Sequence, residues 1–186
     1  YAAAFEEVID RVMQSTLAVL DSKCTPGEHL LRLALNHFDR ILTQHEFQSL
    51  VQQEMVRFHH GKSTTIPHLV GKAFTPLLEK VRQTVHRGIR SGELCRIDWM
   101  QVMYSAYGSN VFYFMSAPMV RASLSFEPFD PATIALRRRA AVKFLGNALF
   151  IDRAHGARLA RRVLAAMPMP EIRNPPAWRK IMEKNR

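Results

Sequence analysis

Four histidines are the residues whose type and spacing come nearest to a metal site in this sequence. His45, His59 and His60 fall in one predicted helix, and His68 follows it closely. Histidine is a common zinc ligand, but the adjacent His59 and His60 would point in different directions on a helix. We therefore predict that the chain holds no metal and interpret these histidines as solvated or core residues.

Sequence motifs for catalysis are missing. The chain contains no GxxxxGK[ST], GxSxG, HExxH or GxGxxG pattern, and these are the arrangements that hold phosphates, nucleophiles, zinc and dinucleotides. We therefore expect no catalytic residue and no cofactor, and we predict that the protein is not an enzyme. Cys24 and Cys95 stand far apart without a CxxC pair, which indicates reduced thiols rather than a disulfide framework.

The composition bounds the class of protein. A chain of 186 residues with 47% hydrophobic content is long and apolar enough to form a single sizeable core. The sequence has no run of about 18 apolar residues that could cross a bilayer, and no signal peptide. We therefore expect a soluble, cytoplasmic protein without a membrane partner.

Residues 98–115 are dense in aromatic and methionine side chains. Asp98 can cap a helix that begins at Trp99. At helical spacing, one face of this helix carries Trp99, Met103, Ala106, Tyr107, Asn110 and Phe114. Another face carries Tyr104, Gly108, Val111 and Met115. Because neither face is predominantly polar, one face can line a pocket while the other contacts a second subunit.

Residues 77–99 predict an amphipathic helix and the turn that connects it to the helix beginning at Trp99. An apolar stripe at three- and four-residue spacing indicates an amphipathic helix, and it consists of Leu77, Leu78, Val81, Val85 and Ile89. Gly92 can adopt the left-handed conformation that ends a helix. Upstream, Pro67 and Pro76 delay or bend the helix, because an interior proline removes a backbone hydrogen bond, and a bent helix can open a cavity beside it.

Three more helices are predicted before this amphipathic helix, over residues 2–20, 26–42 and 45–60. Thr25 and Pro26 are typical of a helix start. The second helix is expected to bury Leu30, Leu31, Leu35, Phe38 and Leu42. Residues 117–129, with Pro118, predict a loop or short helix before a last interface helix over residues 130–150.

Four segments resemble TetR-type transcriptional regulators. Residues 77–99 are similar to the end of that family's central helix and the start of a dimer helix. Residues 41–57 resemble its short helix with a His-Pro-Glu entry, with Phe47 in place of proline. Residues 130–150, with an arginine triplet before an apolar stripe, resemble its final dimerisation helix, and Tyr1 resembles the tyrosine after its DNA-reading unit.

The resemblance covers roughly residues 1–152 and implies an all-α, TetR-like C-terminal regulatory domain. Such a domain is a helical bundle with two helices per subunit at the dimer interface. It implies a homodimer, a small-molecule effector and a role in a repressor, with operator DNA bound only through a helix-turn-helix that we expect to precede Tyr1. We assign residues 153–186 to a basic C-terminal extension.

The resemblance also implies site residues. Those expected to bind the effector are Phe38, Met55, Phe58, His59, Phe74, Leu78, Met103, Tyr107, Asn110 and Phe114. Those expected at the dimer interface are Tyr104, Gly108, Val111, Met115, Ala141, Leu145, Ala148 and Leu149. Because no buried charge is evident, we expect a lipophilic, neutral or weakly polar effector.

Two alternatives use the same residues differently. The apolar faces can serve only as core and dimer seam, which would make the chain an all-helical interaction module with a solid interior and no ligand. The basic end can instead contact phosphates, because residues 1–136 hold 13 Lys and Arg against 13 Asp and Glu, whereas residues 137–186 hold 13 against 3. The simpler interpretation is a solvated face, with Arg137, Arg138, Arg139 and Lys143 on the outside of the last interface helix.

Overall fold

The part of the chain that the structure describes consists of helices joined by short turns and loops. This computed structural model describes residues 2–63, 66–67, 70–124 and 126–171. Its α-helices are α1 (Ala2–Asp21), α2 (Pro26–Thr43), α3 (His45–His59), α4 (Thr75–Arg90), α5 (Trp99–Ser123), α6 (Pro131–Ala148) and α7 (Arg153–Ala166). A π-helical turn, Val70–Phe74, leads directly into α4. The predicted all-α class is confirmed.

Polar side chains begin the helices where the sequence predicts them. Thr25 Oγ1 accepts a hydrogen bond from the Glu28 backbone N–H at 3.2 Å, and Asp98 Oδ1 accepts one from the Met100 N–H at 2.8 Å. These side chains satisfy amide groups that have no partner within the helix. At the end of α4, Gly92 has a φ of 73°, so the predicted left-handed exit is confirmed.

Helix α2 lies at the centre of the bundle. It packs against α1, α3, α4, α5, α6 and α7, and its side chains predicted to be buried are all less than a tenth exposed. Its apolar residues contribute to two clusters: Leu31 and Leu35 lie in the larger one, whereas Phe38 and Leu42 join Phe129 in the smaller one. This helix therefore contacts each of the other six α-helices of the described ranges.

The turn between α4 and α5 ties the start of α2 to the end of α6. Glu93 accepts hydrogen bonds from the Gly27 N–H at 2.9 Å and from the Thr25 hydroxyl at 2.5 Å. One residue on, Leu94 is buried and forms an isolated β-bridge with Phe150. The sequence predicts two helices meeting here, but these long-range partners are visible only in the structure.

Helix α5 is longer than predicted, because it continues through Pro118 to Ser123. An interior proline removes one helix hydrogen bond and costs about 3 kcal/mol. Packing of the preceding turn offsets that cost: the tilted rings of Phe114 and Phe38 have centroids 5.1 Å apart, and Ala117 is buried in the same cluster. The predicted loop therefore shortens to the residues between α5 and α6.

Residues 153–166, which we assigned to the basic extension, form helix α7 and pack on α6. Leu159, Ala160 and Val163 lie in the same core as α2. Two glycines allow this contact, since a Cβ placed on Gly156 would lie 2.0 Å from the Gly146 carbonyl oxygen. The boundary drawn after residue 152 therefore runs between helices that share one core. Residues 172–186 lie outside the described part of the chain.

One of the arginines expected on the outside of α6 is buried. The Arg138 guanidinium donates to both carboxylate oxygens of Asp39, at 2.7 Å each, and to the Met167 carbonyl at 2.8 Å. Arg139 and Lys143 are exposed as predicted, but Arg138 faces inward because this carboxylate on α2 lies opposite it. It joins the central helix to the end of α7.

None of the helices in the described ranges combines the length and the apolarity that crossing a membrane requires.

Candidate functional site

A partly enclosed cavity of about 210 Å³ lies among α1, α2, α3, α4 and α5. Its wall is mostly apolar, with polar groups concentrated on α2. The lining consists of Ile9, Val12, Met13, Thr16, His37, Arg40, Ile41, Gln44, Val51, Phe74, Leu77, Leu78, Met103 and Tyr107. Apolar walls with a few converging polar groups are typical of sites for small molecules.

Helical periodicity explains how each element contributes to this wall. On α1 the lining residues Ile9, Val12, Met13 and Thr16 follow at three and four positions, so they form one continuous stripe. The π-helical turn precedes Pro76, and its last residue, Phe74, lies in the wall. The predicted irregularity near the prolines is therefore next to the cavity.

Arg40 is the charged member of the wall. Its Nη2 donates to Ser15 Oγ at 3.0 Å, to Thr16 Oγ1 at 2.8 Å and to Asn36 Oδ1 at 3.2 Å. Burial lowers the pKa of the guanidinium, but arginine stays protonated in proteins. The cavity therefore contains a positive charge, and the expectation of a site without one is wrong because residue periodicity does not tell which polar residues of α2 turn inward.

His37 and Tyr107 form the other polar part of the wall. Their rings stack with centroids 4.0 Å apart. Burial, with the nearby Arg40 charge adding to it, lowers the pKa of His37 to about 3, while burial raises the pKa of Tyr107 to about 12. Both rings are therefore neutral at pH 7. Within the described residues, His37 Nδ1 is buried without a hydrogen-bond partner.

The opposite side of α5 and the adjacent side of α6 form an exposed apolar surface, which we call the outer face. Its large side chains are 57% to 72% exposed. They are Tyr104, Phe112, Met115 and Met119 on α5, and Leu136 and Phe144 on α6. Exposed large apolar side chains in such numbers are typical of interaction sites on soluble proteins.

A scan of known protein families matched residues 26–145 to the family described as "Tetracyclin repressor-like, C-terminal domain". The match covers more than half of the chain. This protein belongs to that family. Searches of curated proteins and of solved structures found no match. The predicted membership in the TetR-type regulators, and the fold that it implied, are confirmed.

In this TetR-like domain, four of the residues predicted to bind an effector line the cavity: Phe74, Leu78, Met103 and Tyr107. Phe38 and Phe114 pack instead in the smaller core cluster. Asn110 is fully buried, and its amide donates to the Ala34 carbonyl at 3.1 Å. The structure does not bring these three residues into the cavity wall.

The three remaining members of that predicted set lie on α3. Met55, Phe58 and His59 are exposed and do not line the cavity. Among the predicted metal candidates, the side chain of His45 and the whole of His68 lie outside the described residues. No group of three or more potential metal ligands occurs among the residues that the structure does describe.

The residues predicted for the dimer interface divide between the surface and the core. Tyr104, Gly108, Met115 and Ala148 are exposed, whereas Val111 and Ala141 are half-buried. Leu145 and Leu149 are buried in the larger core cluster, because they lie on the side of α6 that faces α7 and the α4–α5 turn. The sequence reasoning missed Phe112, Leu136 and Phe144, which are exposed.

The sequence reasoning also missed Arg40 and His37 in this TetR-like domain. A signal was present: His37, Arg40, Ile41 and Gln44 recur at three and four positions along α2, which places them on one helix face. From the sequence, these residues were assigned no role. Only the positions of α1 and α5 reveal that this polar face turns toward a cavity.

Proposed function

We propose that this chain is the effector-sensing and homodimerisation domain of a TetR-family repressor that binds a small lipophilic molecule. The observation that carries the proposal is the mostly apolar cavity among helices α1 to α5 in a member of this family. An interaction module without a ligand would have a solid interior at this place. The cavity therefore favours a sensor over that alternative.

The first helix provides the route by which binding would be transmitted. Four lining residues of α1, which share one helix face, form one side of the cavity. A ligand that fills the cavity therefore contacts α1 directly. In our proposal, α1 continues toward a DNA-binding unit, and the ligand prefers the α1 position that is incompatible with operator binding. Only such a difference in affinity between two states can release DNA.

The outer face provides the surface for the second subunit. It presents large apolar side chains from α5 and α6 in one patch, as a two-helix contribution to a four-helix interface requires. Burying such side chains contributes about 1.5–3 kcal/mol each. We therefore propose that two copies of this chain pack through their outer faces, which would fix the distance between the two DNA-binding units.

Native mass spectrometry of the purified chain tests both parts of the proposal. We expect a dimer that retains a small molecule, or that binds members of a panel of neutral apolar compounds such as octanamide and 4-phenylbutanamide. A monomer at micromolar concentration would contradict the dimer. A dimer that carries nothing from expression, and binds neither a member of this panel nor the corresponding carboxylic acid, would support the module without a ligand.

A matched pair of variants locates the binding. Met103→Trp fills the cavity from α5, so it should weaken binding of the panel at least tenfold. Val56→Trp adds the same ring to α3, where Val56 is 57% exposed and does not line the cavity, and should leave binding unchanged. Equal affinity in both variants would contradict the assignment of this cavity as the effector site.

A further inference from the structure

Arg40 is placed in the cavity wall with part of its hydrogen-bonding capacity unused. Only its Nη2 atom donates, and its three acceptors, on Ser15, Thr16 and Asn36, are all neutral oxygens. Within the described part of the chain, Nε and Nη1 make no hydrogen bond. A guanidinium has five N–H donors in a planar fork that suits carboxylates and phosphates.

Arginines that reach the buried Glu28, and the buried Arg138, have carboxylate partners. Arg138 pairs with Asp39, and Arg162 reaches across to Glu28 at 2.5 Å. For Arg40, by contrast, the described side chains include no carboxylate at ion-pair distance. The carboxylate of Asp10 on α1 pairs with Lys72 instead. Since buried charges are usually paired, this cation is set apart from the others.

The charge and size of the cavity limit the anion that would suit it. His37 is stacked on Tyr107 and is neutral, because burial lowers its pKa to about 3. Arg40 is therefore the single positive charge among the described lining residues, and one cation balances a monoanion rather than a dianionic phosphate. A volume of about 210 Å³ lies below the roughly 300–1,000 Å³ of sites for drug-sized ligands.

We propose that the effector is a small apolar molecule with a single carboxylate head group, whose carboxylate pairs with the Arg40 guanidinium while its body lies against Met103, Leu78 and Val12. This inference rests on the proposed function, since it assigns the chemical class of the molecule that the same cavity would bind. The carboxylate would accept a hydrogen bond from Nη1, because Nε and Nη1 point to opposite sides of the guanidinium and one carboxylate does not span both. The neutral apolar wall would exclude acids with a second charge.

Matched acids and amides test the head group on the unmodified chain. The probes are octanoate with octanamide, and 4-phenylbutyrate with 4-phenylbutanamide, measured by isothermal titration calorimetry at pH 7.5. Each pair has nearly the same shape and differs in charge. We expect at least one acid to bind at least tenfold more tightly than its amide. Amides that bind as tightly as their acids would overturn the carboxylate assignment and leave the proposed apolar sensor intact.

Variants at Arg40 separate charge from shape. Arg40→Met keeps most of the apolar stem and removes the cation, so we expect the preference for acid over amide to disappear while the amide affinity is kept. Arg40→Lys keeps the charge and should retain part of the preference. Arg32→Met, which removes a cation paired with Glu28 outside the cavity, is the control and should keep the full preference.

Two results would overturn the inference in different ways. An acid preference that persists in Arg40→Met, with the variant shown to be folded by its melting temperature, would place the anion elsewhere. If neither acids nor amides bind to the unmodified chain, the carboxylate assignment fails together with the proposed ligand site. If Arg40→Met does not fold, the comparison of acid with amide in the unmodified chain and in Arg40→Lys still decides the question.

Discussion

The cavity wall and the outer face use the same helix and similar residue types, but they differ in their polar neighbours. Met103 and Tyr107 on α5 line the cavity, and Tyr104 and Met115 on the same helix are exposed on the outer face. Beside the cavity lie Arg40 and His37 on α2, whereas the polar neighbours of the outer face on α6, Arg139 and Lys143, are exposed. The comparison teaches that methionines and aromatics alone do not distinguish a ligand wall from a protein interface.

The physical basis of the difference is the state of the polar groups. A cavity that is meant to orient a small molecule needs a few polar atoms that the protein does not fully satisfy. An interface between two copies of a chain gains its stability from well-packed apolar anchors near its centre. The cavity wall on α5 fits the description of a ligand site, and the outer face fits the description of an interface.

The largest effect is expected from a charge on the outer face. Phe144 is 66% exposed on α6, and Phe144→Glu would bury a carboxylate in each half of the proposed interface. Losing a central anchor of an interface costs about 2–4 kcal/mol, which raises the dimer Kd roughly 30- to 700-fold. Sedimentation velocity over a range of protein concentrations measures this change.

The control for that substitution lies outside the outer face. Val56 is exposed on α3, so Val56→Glu adds the same charge without touching α5 or α6 and should leave the dimer Kd unchanged. If Phe144→Glu sediments like the unmodified chain, the outer face is not where two copies meet. The contrast between a ligand wall and a dimer interface on α5 would then be wrong.

A smaller effect is expected from shortening a methionine on each side of α5. In the monomeric Phe144→Glu background, Met103→Ala should lower the free energy of unfolding by about 2 kcal/mol, because it removes half-buried packing and enlarges a cavity. Met115→Ala should change it by less than about 0.5 kcal/mol, since Met115 is 57% exposed. Urea unfolding at fixed protein concentration compares them. Equal losses would mean that both sides of α5 pack in the monomer.

The smallest effect is expected from the buried histidine of the cavity. The pKa of His37 is lowered to about 3 by burial, whereas an unfolded histidine titrates near 6.5. Between these values the unfolded chain binds a proton that the folded chain does not, so stability falls as the pH falls. We expect the His37 contribution to cost about 1 kcal/mol between pH 7.5 and 5.5, measured by urea unfolding.

Two variants show whether this pH dependence comes from the cavity. His37→Gln should remove the loss of about 1 kcal/mol, whereas His86→Gln, at an exposed position of α4, should retain it. An unchanged slope in His37→Gln would mean that His37 is already protonated or solvated in the folded chain. The cavity would then be more polar than its lining residues indicate.

Much of the fold could be predicted from local sequence because capping and periodicity act over a few residues. Thr25, Asp98 and Gly92 begin or end helices where their chemistry predicts it. Pro118 was predicted to lie in a loop or short helix, because proline disfavours a helix interior. The helix continues through it, since Phe114 and Ala117 pack against α2 and Phe129 and override that local preference. Such distant contacts have no signature within the segment itself.

The candidate site was predictable only in part for the same reason. Periodicity placed Met103 and Tyr107 on one face of α5, and both line the cavity. It could not decide which neighbour that face meets, so Asn110 and Phe114, on the same face, were assigned to the cavity although they pack elsewhere. The polar side of α2 was given no role, since sequence alone does not distinguish a solvated helix face from the polar wall of a cavity.

The sequence by itself determined the all-α class, the helix starts and the resemblance to TetR-type regulators, because these depend on residue type and on spacing along one helix. The tertiary structure decided that Arg138 is buried against Asp39, that α7 shares the core, and that Arg40 stands in a cavity without a carboxylate partner among the described residues. Burial and charge pairing are set by which helices lie side by side, and that arrangement depends on the whole chain.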